Sequence, residues 1–88
     1  MKIAIYPGSF DPITLGHLDI IRRAALCFDK VFVCVMDNCD KKSHMFPAEK
    51  RLEMLRRSVE ELPNVEAELY RGLLADYARE KGGHVIVK

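Results

Sequence analysis

Residues 8–17 combine the side chains and the backbone freedom that phosphate chemistry needs. The segment reads Gly-Ser-Phe-Asp-Pro-Ile-Thr-Leu-Gly-His and joins an apolar stretch to an amphipathic one. Gly8 lets a ligand approach the backbone closely, Ser9 offers a hydroxyl, and His17 adds a hydrogen-bond donor. A helix capped by Thr14 would point free N–H groups and the positive end of its dipole at the same place. The 8–17 loop is therefore a candidate phosphate-binding loop.

The same residues also admit a plainer interpretation. In it, Gly8 and Pro12 only mark a strand-to-helix turn, and His17 is a solvated residue in the first turn of a helix. Turn chemistry alone favours this alternative. The elements around the loop have to decide between the two.

Apolar residues indicate alternating strands and helices. Continuous apolar blocks at residues 3–6, 31–36 and 85–87 are typical of strands buried on both faces, whereas residues 65–69 alternate and suit an edge strand. Apolar residues recur at helical spacing in three further segments. These residues are Leu18, Ile21, Ala25 and Phe28; Leu52, Leu55, Val59 and Leu62; and Tyr70, Leu73, Leu74, Tyr77 and Ala78.

Helix boundaries agree with this pattern and lead to a topology. Pro47 suits the first position of the second helix, Pro63-Asn64 stops that helix, and Gly82-Gly83 ends the third. The order β-α-β-α-β-α-β predicts an α/β fold, a Rossmann-like, doubly wound parallel sheet with strand order 3-2-1-4. Ligands bind at the switch point between the first and fourth strands, which brings the 8–17 loop next to Lys88.

Residues 1–88 are expected to form the N-terminal part of a single domain, truncated after the fourth strand. Such a sheet has two helices on one face and one on the other, and it leaves apolar surface uncovered. We therefore expect either a continuation of the chain after Lys88 or a partner chain that covers the open edge.

The amino-acid composition limits which partners the protein binds and indicates the cellular compartment in which it works. The net charge of +1 leaves no basic excess for a nucleic-acid backbone, and no signal peptide or membrane span is visible. Three cysteines, an odd number, favour a reduced, cytoplasmic compartment. A zinc site from Cys34, Cys39 and His44 lacks the usual paired spacing and a fourth ligand, so no metal site is predicted.

Residues 6–12 (Tyr-Pro-Gly-Ser-Phe-Asp-Pro) and 14–17 (Thr-Leu-Gly-His) resemble the signature of bacterial phosphopantetheine adenylyltransferases, nucleotidyltransferases with a T/H-x-G-H motif. Further matches at residues 18–24, 41–42, 45–46, 49–51, 62–65 and 72–78 extend the resemblance over essentially the whole chain. It implies transfer of AMP from ATP to 4′-phosphopantetheine, which gives dephospho-coenzyme A and pyrophosphate. It also implies Mg²⁺ carried with ATP and a homohexameric assembly.

The resemblance also implies roles for individual residues. His17 and Lys41 would be catalytic, through stabilisation of the transition state and binding of the acceptor phosphate. Gly8, Ser9, Phe10 and His17 would bind ATP, and Ser9, Lys41, Leu74 and Lys88 would contact the acceptor.

Several positions depart from the family pattern. Lys88 stands where arginine is usual, and Asp37 and Asp40 precede the lysines, where we interpret them as turn formers that face solvent. The link at Ser43-His44 is one residue longer, which leaves Lys42 as an alternative phosphate ligand. The family's later Gly-Leu-Arg segment and serine-rich loop are absent, so little activity is expected of the 88 residues alone.

Two other functions remain open. One is another nucleotidyltransferase of the same superfamily, specific for a cytidylyl or nicotinamide nucleotide substrate. The other is a non-catalytic fragment that binds a phosphorylated ligand.

Overall fold

The computed structural model describes residues 1–37, 45–83 and 85–87. Strands and helices alternate throughout, as the apolar pattern predicts. The strands are β1 (Ile3–Gly8), β2 (Lys30–Met36), β3 (Val65–Tyr70) and β4 (Val85–Ile86), and the helices are α1 (Leu15–Cys27), α2 (Ala48–Val59) and α3 (Leu74–Lys81).

The four strands form one parallel sheet in the order β3-β2-β1-β4, which confirms the predicted doubly wound, Rossmann-like topology. Gly8 pairs with Val35, and Met36 pairs with Tyr70. The register therefore brings the carboxyl ends of β1, β2 and β3 to a common level. Residues that follow these strands emerge side by side at one edge of the sheet.

Each face of the sheet is covered by its own apolar cluster. The α1 and α2 face contains Ile21 from α1, Leu55 from α2 and the valines of β2 that point the same way. The opposite face is smaller and packs Tyr77 of α3 against Ile5 and other strand residues. Two helices on one face and one on the other match the predicted arrangement.

Two helix starts differ from the sequence prediction. Pro47 is the N-cap of α2 and not its first position as predicted, since Ala48 begins the helix. Tyr70 belongs to β3 and not to the third helix, because it pairs with Met36 in the sheet. By contrast, α3 ends at Gly82 as predicted. Gly82 adopts the left-handed conformation, with φ of 66°.

The fourth strand is more exposed than its apolar composition predicts. Val85 and Ile86 keep 43% and 42% of their surface, which contradicts burial of this strand on both faces but agrees with the expectation that a sheet of four strands leaves apolar surface uncovered. The reason is positional, since among the described residues β4 pairs with β1 alone and lies at the end of the sheet. Within the residues described, no helix is both long and apolar enough to cross a membrane.

Candidate functional site

The 8–17 loop leaves the sheet at the carboxyl end of β1 and enters α1 at Leu15. Ser9 is exposed, whereas Phe10, next to it, retains only 2% of its surface and has a positive φ of 47°. A left-handed conformation is costly for a bulky residue, so it persists only where the surroundings enforce it. The burial of the Phe10 ring supplies that constraint and turns Ser9 outward.

Gly8 makes room for the Phe10 ring. A methyl group on Gly8 would lie 3.1 Å from Cε2 of Phe10, which is closer than side chains normally pack. The glycine therefore lets the Phe10 ring pack here without displacement. The contact between Gly8 and ATP remains a prediction.

Phe10 also holds His17. The Phe10 and His17 rings are 5.0 Å apart between centroids in an edge-to-face arrangement, and Tyr6 packs edge-on against Phe10 at 5.3 Å. Such pairs stabilise a fixed ring orientation. Phe10 is thus observed as a buried support for His17, and its predicted ATP contact is untested.

Hydrogen bonds at the start of α1 fix both the orientation and the tautomer of His17. The Thr14 hydroxyl accepts from the His17 backbone N–H at 3.3 Å, and the Thr14 backbone N–H donates to His17 Nδ1 at 3.0 Å. This reciprocal pair is a capping box in which histidine takes the place usually held by Glu or Gln. Since Nδ1 accepts, the neutral ring carries its proton on Nε2. Nε2–H is therefore available as a donor at the N-terminus of α1.

Asp11 connects the loop to the segment that precedes α2. Its Oδ1 accepts from the backbone N–H of Phe46 at 2.8 Å, and its Oδ2 accepts from the backbone N–H of Met45. The carboxylate therefore stabilises two amides that lie 34 and 35 residues away along the chain.

Arg51 on α2 connects three segments at the same edge of the sheet. Its Nε donates to the Phe46 carbonyl at 3.0 Å, and one terminal nitrogen donates to the Ser9 carbonyl at 2.9 Å. The other terminal nitrogen donates to Asp37 Oδ1 at 3.2 Å. With only 1% of its surface exposed, Arg51 is enclosed by the groups it binds.

Asp37 and Arg71 extend these contacts across the ends of β2 and β3. Arg71 Nε donates to Asp37 Oδ2 at 2.9 Å, and a terminal nitrogen of Arg71 donates to Glu49 at 3.3 Å. Partial desolvation acts to raise the pKa of Asp37, but hydrogen bonds and charge from Arg71 and Arg51 outweigh it and hold that pKa below its ordinary value. We call Arg51, Asp37, Arg71 and Glu49 the Arg51 network.

This arrangement corrects the interpretation of Asp37 as a solvent-facing turn former. Its side chain is only 17% exposed and is paired with two guanidinium groups. The second aspartate of that prediction, Asp40, lies outside the described residues.

The other predicted site residues are described only in part. Leu74 begins α3 and packs, partly buried, on the smaller apolar cluster, while the neighbouring Leu73 is exposed. Lys41, Lys42 and Lys88 lie outside the described residues, so their predicted roles remain predictions.

Sequence reasoning gave Arg51 no role of its own, although a signal was present. The buried residues of α2 are Ala48, Arg51, Leu55 and Val59, which recur at intervals of three and four. Arg51 therefore occupies the core face of an amphipathic helix. A charged residue on that face requires buried partners.

In the described part of the chain, no group of three or more His, Cys, Asp or Glu side chains is placed to hold a metal ion. Of the three residues considered above as zinc ligands, Cys39 and His44 lie outside the described residues. The third, Cys34, is a buried free thiol whose pKa is raised to about 12, first by desolvation and then by the charge of Glu68.

Sequence comparison connects this site to known enzymes. The chain is 53% identical over 88 residues to a phosphopantetheine adenylyltransferase of Clostridium novyi, and 55% identical over 85 residues to one of Symbiobacterium thermophilum. The alignments cover 100% and 97% of this chain, but 54% and 52% of the relatives. The chain thus spans about half the length of the curated relatives it matches, and the resemblance found in its motifs is confirmed.

Solved structures share the fold. NadR protein, in a crystal structure with NAD and AMP-PNP, matches with a TM-score of 0.71 and 28% identity, over 80% of this chain and 20% of that one. A lipopolysaccharide core biosynthesis protein from Thermoplasma volcanium GSS1 matches with a TM-score of 0.75 over 98% of this chain and 72% of that one. Its identity of 22% supports the fold alone.

A family model completes the comparison, since the one described as cytidylyltransferase-like matches residues 5–88. That span includes the whole 8–17 loop, the capping box of His17 and the Arg51 network. The chain therefore belongs to the cytidylyltransferase-like family.

Proposed function

We propose that the protein to which these residues belong transfers AMP from ATP to 4′-phosphopantetheine, with dephospho-coenzyme A and pyrophosphate as products. The observation that carries this proposal is the capped, ring-packed His17, which offers Nε2–H at a helix N-terminus beside the end of β1. The names of the relatives that match over the full chain supply the substrates.

The reaction needs positioning more than it needs a protein nucleophile. An oxygen of the acceptor phosphate forms a bond to the α-phosphorus of ATP, and the bond from that phosphorus to the bridging α–β oxygen breaks. The electron pair of that bond leaves with pyrophosphate. The attacking oxygen is already ionised, so the protein has to align the groups and stabilise the charge that develops on the α-phosphoryl oxygens.

His17 suits this task because its donor is fixed before the ligand arrives. The capping box holds Nδ1 as an acceptor, and Phe10 restrains the ring from the side. The Nε2–H donor therefore requires no reorganisation during the reaction. We assign it to a non-bridging oxygen of the α-phosphate.

Ser9 and Gly8 form the start of the phosphate-binding loop in this proposal. Ser9 is exposed directly after β1, so its hydroxyl and amide suit contacts with both the nucleotide and the acceptor. Phe10 and Gly8 act in the ATP site by giving the loop its shape, since the ring fills the space that a side chain at Gly8 would occupy.

The acceptor contacts are proposals from the family resemblance. Lys41 would bind the acceptor phosphate as a mobile point charge, with Lys42 as the alternative. Leu74, at the first turn of α3, would contact the pantetheine arm. Lys88 would contact both substrates and, compared with arginine, would lack the bidentate geometry.

Magnesium enters this proposal as part of the MgATP substrate, bound to phosphate oxygens. The family resemblance supports a homohexamer, and the odd number of cysteines favours a cytoplasmic location. Neither nucleic acid nor membrane is proposed as a partner.

A substrate panel tests the proposal. The complete gene product is incubated with MgATP or MgCTP, each with 4′-phosphopantetheine or nicotinamide mononucleotide, and the products are identified by mass. We expect turnover only of the pair MgATP and 4′-phosphopantetheine, with dephospho-coenzyme A and pyrophosphate as products. Turnover of another pair would indicate a different nucleotidyltransferase, and ligand binding without any turnover would indicate the non-catalytic alternative.

Two neighbouring lysines provide a matched test of acceptor binding. Lys41→Met removes the proposed phosphate ligand, so we expect the KM for 4′-phosphopantetheine to rise at least about tenfold, the loss of one charged hydrogen bond. Lys42→Met should leave that KM within about twofold of wild type. The opposite result would transfer the role to Lys42, and no effect from either variant would remove the lysines from the site.

A further inference from the structure

Arg51 is the one charged side chain that is buried among the described residues. It uses all three guanidinium nitrogens, and each reaches a different segment: the 8–17 loop at Ser9, the end of β2 at Asp37, and the residue pair before α2 at Phe46. The Ser9 contact joins positions 42 residues apart. Arg51 thus connects three separate parts of the sheet edge at which the site is built.

Stability alone explains this burial poorly. Removing a guanidinium from water is costly, and a buried ion pair is often no better than apolar side chains of similar volume. What arginine provides, and an apolar residue does not, is a rigid, planar set of donors that fixes several acceptors at once. Two of the three acceptors here are backbone carbonyls. The arrangement therefore fixes the path of the backbone.

Asp11 connects the same two segments in the opposite direction. Arg51, on α2, donates to the Ser9 carbonyl of the loop, and Asp11, on the loop, accepts from the Phe46 amide before α2. The Phe46 carbonyl thus accepts a hydrogen bond from Arg51, and the Phe46 N–H donates one to Asp11. Bonds in both directions restrict sliding as well as separation of the two segments.

We infer that Arg51 is a positioning residue for the AMP transfer proposed above, an inference that rests on that proposed function. By holding the Ser9 carbonyl, Arg51 sets the direction in which the exposed Ser9 hydroxyl meets the phosphate. Being buried, Arg51 does not touch the ligand itself and acts through Ser9. Phe10 restrains the other side of the same peptide unit, since its ring is buried against Tyr6 and His17.

The test begins with Arg51→Lys in the complete gene product. Lysine keeps a positive charge opposite Asp37 but has one nitrogen in place of three, so it cannot hold the Ser9 and Phe46 carbonyls in the same geometry. A displacement of about 1 Å in a phosphate-binding group costs up to about a hundredfold in rate. We expect kcat/KM to fall at least about tenfold. Arg57→Lys, an exposed residue of the same helix paired with Glu53, is the matched control and should stay within about twofold.

A second readout separates positioning from general stability. If Arg51 acts through Ser9, the combined loss in Arg51→Lys/Ser9→Ala is smaller than the product of the two single losses. The carbonyl ¹³C resonance of Ser9 should also shift in Arg51→Lys and stay constant in Arg57→Lys. Should Arg51→Lys fail to fold, Asp11→Asn weakens the other half of the connection and is expected to give the same coupling with Ser9→Ala.

The outcomes distinguish this inference from the proposed function. If wild type is active and kcat/KM is unchanged in Arg51→Lys, the positioning role is overturned. It is also overturned if the losses of kcat/KM in Arg51→Lys and Ser9→Ala multiply in the double variant and the Ser9 carbonyl resonance does not shift. An inactive wild type overturns the proposed function. In that case the affinity for MgATP is measured in place of kcat/KM. Equal affinities of wild type and Arg51→Lys would overturn the role of Arg51 as well.

Discussion

Two polar networks lie on the sheet, and they differ in what they hold. The Arg51 network joins the ends of β1, β2 and β3 at the edge of the sheet that carries the 8–17 loop. On the α3 face, Glu68 accepts from the Tyr77 hydroxyl at 3.0 Å and pairs with Lys81 at 2.9 Å. We call these three residues the Glu68 network.

The difference lies in the partners of each network. Arg51 binds backbone carbonyls that belong to the site and to its flanking segment. In the Glu68 network, the side chains of Tyr77 and Lys81 bind the side chain of Glu68 and so attach α3 to β3. Both networks reduce the cost of burying polar groups. Of the two, only the Arg51 network contacts the 8–17 loop, so changes in the two networks should separate loss of turnover from loss of stability.

The largest expected effect comes from Asp37→Asn. This change leaves the buried Arg51 charge without its carboxylate partner, which costs about 3 kcal/mol of unfolding free energy. Because Arg51 also binds the Ser9 carbonyl, we expect kcat to fall as well. Denaturant unfolding and steady-state kinetics on the complete gene product measure the two losses.

The matched change on the α3 face is Glu68→Gln. Lys81 and Glu68 are each about a third exposed, so we expect a loss of about 1 kcal/mol and an unchanged kcat. Equal losses of kcat in Glu68→Gln and Asp37→Asn would remove the distinction between the networks.

Tyr77→Phe tests a smaller part of the Glu68 network. It removes one hydrogen bond to Glu68 and preserves the packing of the ring on Ile5 and Cys34, so the expected loss is about 1 kcal/mol. Turnover should remain at the wild-type level. A several-fold fall in kcat would show that the α3 face is coupled to the site.

Acid titration gives the smallest effect and probes Asp37 of the Arg51 network. The pKa of Asp37 lies below its ordinary value, so the carboxylate contributes stability that is fully present above its unfolded-state pKa of about 3.9. That contribution is lost as the pH falls through the lower, folded-state pKa. Unfolding free energies measured from pH 5 downward should therefore decline less steeply in Asp37→Asn than in wild type.

Asp19→Asn serves as the control for this titration. Asp19 pairs with Arg23 on the exposed surface of α1, where such pairs contribute about 0.3–0.5 kcal/mol. Asp19→Asn should therefore stay within about 0.5 kcal/mol of wild type across the series. A profile of Asp37→Asn that also follows wild type would contradict the assigned ion pairs.

Local patterns were sufficient to predict the fold. Apolar blocks, the Thr14 cap and Gly82 act within a few residues, and they specify strands, helices and their order. Tyr70 was misassigned because aromatic residues fit both the edge of a strand and the apolar face of a helix. The apolar block at residues 85–87 favours burial, whereas the exposure of β4 follows from its place at the end of the sheet, in line with the uncovered apolar surface expected from the topology.

The site was predictable only where its chemistry lies within one loop. The roles proposed for Gly8, Ser9 and His17 rest on neighbouring residues and on the family resemblance, and the capping box adds the tautomer of His17. Asp37 and Arg51 acquire their roles from contacts between segments that are remote in the sequence. Arg51 on the core face of α2 was the available signal, but its partners required the three-dimensional structure.

The central claim is that His17 donates from Nε2 to the α-phosphate while Nδ1 serves the helix cap. His17→Glu separates these two functions, since glutamate at this position of a capping box retains the cap and removes the donor. We predict that kcat for formation of dephospho-coenzyme A from MgATP and 4′-phosphopantetheine falls about 10²–10³-fold in this variant, while its unfolding free energy stays close to wild type. His17→Ala should lose as much turnover and, in addition, about 1 kcal/mol of stability. A His17→Glu enzyme with wild-type kcat would contradict the account.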